Sequence, residues 1–153
     1  MKLLLALLAS LLLSLPAMAR VDYPLYPLGA IPEVKASGNT PNAPISLSLT
    51  GQAGYITMMS GFSCGGGGAT AAGEVALTIA SLKSSSGGAV TLGYPVIFQA
   101  GATTFWEVSD TFIPPLPTNG PGQTITLLLP ALGAGNLYAF CKVWGFRSGF
   151  TGS

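Results

Sequence analysis

The chain has 153 residues, of which 7% are charged and none is histidine. Without histidine a Ser-His-Asp or Cys-His catalytic site and a blue-copper site cannot be assembled, and the usual neutral-pH acid/base is missing. Apart from Lys2, the charges balance: Arg20, Lys35, Lys83, Lys142 and Arg147 against Asp22, Glu33, Glu74, Glu107 and Asp110. This leaves no basic patch for nucleic acid and no Lys/Arg cluster for an anionic membrane.

Residues 1–19 are expected to be a cleaved signal peptide. Lys2 gives the positive start, residues 3–15 the apolar stretch, and Ala17-Met18-Ala19 the small-residue cleavage site. The apolar stretch is about 13 residues, short of the about 20 needed to span a bilayer, and no later run is long enough. The mature chain is therefore expected in the periplasm or outside the cell, with no integral membrane segment. A surface so poor in ionised groups offers little charge repulsion between copies, which favours association.

Residues 20–43 hold Pro24, Pro27, Pro32 and Pro41 among Tyr23, Tyr26 and small polar residues. They are expected to form an extended arm rather than packed secondary structure. Such an arm can add as a strand to the sheet edge of a neighbouring copy, with Tyr23, Tyr26 and Leu28 as anchors. An arm that packs on its own domain is the alternative.

From residue 44 to 153 a single β domain is expected. Ile45, Leu47 and Leu49 alternate with Ser46, Ser48 and Thr50, the pattern of a half-buried strand. Residues 51–54 supply a turn, and 55–64 read as a second strand, pairing with the first as a hairpin. The run Gly65 to Gly68 is expected as a loop, because glycine loses the most backbone freedom on ordering. It lacks the Lys-Ser/Thr pair and the helix start of a phosphate loop.

Residues 74–82 alternate as a strand while also being rich in helix-tolerant Ala and Leu; strand is preferred. Short apolar segments follow at 89–92, 95–99 and 104–108. The prolines Pro114, Pro115, Pro117 and Pro121 make 110–122 a long crossing loop, after which 123–129 and 137–146 read as strands. About seven or eight short strands without convincing helices point to an all-β fold, an antiparallel β-sandwich or jelly-roll-like barrel.

Cys64 and Cys141 are the only cysteines, and in an exported chain they are expected to form one disulfide. With Cys141 turned inward, alternation turns Tyr138, Phe140, Lys142 and Trp144 to the opposite face. That makes Tyr138, Phe140 and Trp144, together with Trp106, a candidate contact surface.

Candidate catalysts are sparse. Glu107 and Asp110 form the only close acid pair in a plausible strand-end position, and Lys83 beside Ser84 is better explained as a solvated turn. No Asp-rich loop suggests calcium, and no cofactor is expected. The sequence thus points to an exported, non-enzymatic structural or self-assembling surface protein. Its expected partner is itself or another surface protein. The alternative is a secreted carbohydrate-binding or adhesive module in which the aromatic residues stack on glycan.

Overall fold

The computed structural model describes residues 26–38, 42–133 and 138–149. The expected signal peptide and Tyr23 lie outside the described residues. Among these residues the fold is all-β, with eight strands and no helix: β1 (Ile31–Ala36), β2 (Ile45–Leu49), β3 (Tyr55–Gly67), β4 (Gly73–Lys83), β5 (Ala89–Phe98), β6 (Phe105–Pro117), β7 (Ile125–Leu129) and β8 (Tyr138–Gly149). They form two four-stranded antiparallel sheets, ordered β1-β8-β3-β6 and β2-β7-β4-β5.

The second sheet follows simple alternation. Ile45 and Leu49 of β2, Leu77 and Ile79 of β4, and Ile125, Leu127 and Leu129 of β7 are all buried. The intervening residues face away, where the Ser48 and Thr126 hydroxyls bond each other at 3.0 Å. The 74–82 segment is thus a strand, with Ser81 at φ 71° where the β4–β5 register slips. The first sheet contributes Met59, Phe62, Cys64, Ala139, Cys141 and Val143 to the same core. At roughly 25 cal/mol per Å² of apolar surface removed from water, this shared core is the main stabilising term.

Cys64 and Cys141 stand directly opposite each other on β3 and β8, bridged, with their Cα atoms 4.1 Å apart. Both face the core. The bond joins neighbouring strands of one sheet, and it fits an oxidising extracellular or periplasmic environment. No helix among the described residues is long and apolar enough to cross a membrane.

Several local expectations are corrected. Residues 45–49 and 55–64 are not a hairpin: β2 pairs with β7 and β3 lies in the other sheet. The turn between them crosses from sheet to sheet, held by Gly51 N–H donating to Thr124 Oγ1 at 2.9 Å and by Thr57 Oγ1 donating to the Gln123 carbonyl at 2.8 Å. Gly65 to Gly67 are not a loop but the buried end of β3, because rings from the neighbouring strands fill the space their missing side chains leave. The proline-rich segment from 110 onward belongs to β6 as far as Pro117. Proline is tolerated there because β6 is a sheet edge, where a lost N–H breaks no ladder. Residues 112–115 bulge opposite Ser60.

The expected extended arm is also partly corrected. Its residues 31–36 form β1, an edge strand paired with β8 of the same chain. Glu33 fastens this edge: its carboxylate accepts from Thr50 N–H at 3.1 and 3.2 Å, and it lies 3.8 Å from Arg147 Nε and 3.4 Å from Lys35 Nζ. Arg147 in turn donates to Gln52 Oε1 at 2.7 Å. This polar clasp ties the first sheet to the end of β2 in the second.

Candidate functional site

The outer face of the β1-β8-β3-β6 sheet is the strongest candidate. Strand alternation, anchored by the inward Cys141, puts Tyr138, Phe140, Lys142 and Trp144 on that face. Their partners across the ladder are Gly67, Gly65, Ser63 and Gly61. Three of the four positions are therefore aromatic residues opposite glycines.

The glycines determine how the rings lie. A Cβ on Gly61 would come within 2.5 Å of Trp144 Cζ2, one on Gly65 within 2.9 Å of Phe140 Cζ, and one on Gly67 within 2.9 Å of Tyr138 Oη. Each ring thus leans across β3 into space a side chain would otherwise occupy, the arrangement by which aromatic groups protect strand glycines. Phe105 of β6 approaches Gly65 from the other side, its Cζ 3.1 Å from the same Cβ position. Phe105 and Phe140 remain open to solvent, 56% and 39% exposed, while Tyr138 and Trp144 are half-buried.

At the far end of β8, Phe146 shares this face and is covered by Tyr26, with ring centroids 5.3 Å apart in an edge-to-face contact. Burial pushes the Tyr26 phenol above its usual range. Tyr26 therefore packs on its own chain, whereas Leu28 in the adjoining turn is fully exposed. A pocket of about 390 Å³ opens beside Met58, between Lys83 and Asn119.

Trp106 does not belong to this surface. It faces the core, 7% exposed, with its ring over Gly66 on the inner side of β3, where a Cβ would come within 2.7 Å of Trp106 Cζ2. Register explains the placement: Val108 stands opposite the inward Cys64, so Trp106, two residues earlier, also points inward. Its indole Nε1–H is buried and has no hydrogen-bond partner among the described residues.

Phe105, which sequence reasoning did not select, takes its place on the outer face. The signal for it was the same alternation, usable only once the β3–β6 pairing is known.

The acid pair is also divided. Asp110 turns toward the second sheet and accepts from Tyr94 Oη at 2.8 Å, whereas Glu107 is exposed opposite Gly65 on the outer face. Burial, then the hydrogen bond to Asp110 and its negative charge, push the Tyr94 phenol up to about 12. Ser84 Oγ accepts from Gly88 N–H at 2.9 Å and is hydrogen-bonded to Ser86 Oγ at 3.0 Å, which is turn chemistry. Among the described residues, no group of three or more Cys, Asp or Glu side chains converges in the manner of a metal site.

No protein-family model, curated protein or solved structure matches this chain.

Proposed function

We propose that the chain is an exported, non-catalytic structural subunit of a cell-surface assembly, a disulfide-stapled β-sandwich of jelly-roll-like form acting through contact with copies of itself or another surface protein. The observation that carries this reading is the edge strand β5.

The four sheet edges differ in how they discourage pairing with another chain. β1 carries Glu33, Lys35 and Pro32, and β6 carries Glu107, Asp110 and three prolines with a bulge. β2 is only five residues long. Charge, proline, bulges and shortness are the usual protections of an exposed edge. β5 has ten residues and no charged side chain, with Pro95 its single interruption, and its Ile97 is 66% exposed. No charged residue occurs from 84 to 106.

An antiparallel pairing of two β5 strands about a two-fold axis at Gly93 would set Val90 against Val96 and Leu92 against Tyr94 on the core side. On the outer side it would set Thr91 against Pro95 and Ala89 against Ile97. Such a contact is isologous and meets no like charges. Exchange of the arm would require β1 to leave β8, whereas β5 has a ladder partner on one side alone, β4, among the described residues.

The test is light scattering of the oxidised protein lacking residues 1–19, across concentration. The expected result is mass growth that disappears when Thr91→Lys and Ile97→Lys place charge on the exposed side of β5. A constant monomer at every concentration overturns the reading.

A further inference from the structure

We propose that the outer face of the β1-β8-β3-β6 sheet is a binding platform for a neutral polysaccharide, with Trp144, Phe140 and Phe105 as its stacking groups. This goes beyond the assembly reading and uses a different surface.

The first argument is the posture of the rings. Upright aromatic side chains present their edges and interdigitate with a protein partner. Here Gly61 and Gly65 let Trp144 and Phe140 recline across β3, within 2.5 and 2.9 Å of the positions where Cβ atoms would stand. A reclined ring offers its face, and the face is what the axial C–H groups of a pyranose pack against. Phe140 and Trp144, four residues apart on β8, are separated by about 13 Å of strand, and Phe105 of β6 stands beside Phe140 across Gly65, a linear track suited to a chain of sugar units.

The second argument is the polar groups in the track. The row between Phe140 and Trp144 is Lys142, Ser63 and Ser109 across β8, β3 and β6. It interrupts the rings with an ammonium and two hydroxyls, while Glu107 flanks Phe140 by way of Gly65. Orienting polar groups set among aromatic ones are what a hydroxyl-rich ligand needs. Lys142 and Glu107 cancel in charge, which selects a neutral polymer over an acidic one. A second copy fits less well. A two-fold contact centred on this face would bring Lys142 against its own counterpart, and desolvating two ammonium groups together is costly.

The test is affinity electrophoresis of the oxidised protein through gels holding soluble neutral polysaccharides (a β-1,4-glucan ether, a xylan, a galactomannan and a dextran), with pull-down on insoluble cellulose and chitin. The expected result is retention on at least one polymer, weakened about tenfold by Trp144→Ala or Phe140→Ala, the size of one lost stacking contact. Trp144→Tyr should restore most of it. Lys83→Ala, away from the rings, should leave it unchanged, as should the Thr91→Lys, Ile97→Lys pair that tests assembly. Circular dichroism melting keeps loss of fold separate from loss of binding. Retention on none of the six polymers overturns the proposal. So does a Trp144→Ala variant that changes the scattering mass and not the retention, which would make this face a protein interface.

Discussion

The two sheets reach the same buried interior by different means. In the β2-β7-β4-β5 sheet the core positions are filled mostly by aliphatic side chains of the strands themselves, Leu49, Leu77, Ile79 and Leu127 among them, so each strand supplies its own packing. In the β1-β8-β3-β6 sheet β3 supplies Met59, Phe62 and Cys64 to the core but has no side chain at Gly61 or from Gly65 to Gly67, and there its neighbours supply the packing: Trp106 over Gly66 inside, Trp144, Phe140 and Tyr138 over Gly61, Gly65 and Gly67 outside. The lesson is that a glycine run buried in a sheet is stabilised by side chains belonging to other strands. A substitution in such a sheet is therefore felt across the ladder.

Large-to-small changes test this most severely. Trp106→Ala removes the inner cover of β3 and is expected to cost about 3–5 kcal/mol, comparable with about 2–5 for Leu127→Ala in the aliphatic sheet. Trp144→Ala on the half-exposed side should cost about 1–2 kcal/mol. Urea denaturation of the three variants checks the order, and equal losses for the two tryptophans would contradict the inward placement of Trp106.

Opening the disulfide is expected to cost about 2–4 kcal/mol, since it closes a long loop and is fully buried. Comparing melting of Cys64→Ala, Cys141→Ala with the oxidised parent measures it.

Glycine substitutions sharpen the contrast further. Gly66→Ala would force a methyl against the Trp106 ring and the Tyr138 carbonyl, costing about 1–3 kcal/mol. Gly93 on β5 has open space around a new Cβ, so Gly93→Ala should be neutral or stabilise by up to about 1 kcal/mol through the unfolded chain. Similar losses at both positions would remove the distinction between the sheets.

The smallest effect concerns pH. Tyr94 titrates at its ordinary 10.0 when unfolded and at about 12 when folded, so the unfolded chain releases its proton first. The stability linked to this group is complete below pH 10 and is lost as pH rises through 12. In Tyr94→Phe the alkaline dependence should shrink to the part linked to Tyr26, whose phenol is also pushed up by burial, at a neutral-pH cost of about 1 kcal/mol for the lost hydrogen bond to Asp110. Denaturant midpoints at pH 8 and pH 11 for both proteins decide it.

The same contrast explains what was readable from sequence. β2, β4 and β7 announce themselves because their own side chains alternate. β8 was legible because Cys141 fixed which face is inward, and with it the outer positions of Tyr138, Phe140 and Trp144. Gly65 to Gly67 read as a loop because the groups that bury them lie 38 or more positions away along the chain. Trp106 was misplaced for a related reason: its strand contains no residue of self-evident orientation, and only the pairing of Val108 with Cys64 supplies one. The prolines of β6 mark an edge as readily as a loop, and sequence alone does not say which strand is last in a sheet.

The position of the disulfide has a mechanical consequence. It links β3 and β8, the two inner strands of their sheet, across a sequence separation of 77. A subunit pulled by its two ends would transmit the load through this covalent link once the outer segments had peeled away. The bracketed chain, roughly 260 Å if drawn out at about 3.4 Å per residue, would stay closed. Its extensibility under tension would then depend on the redox state of one buried bond, and reduction would lengthen the tether rather than simply weaken the fold.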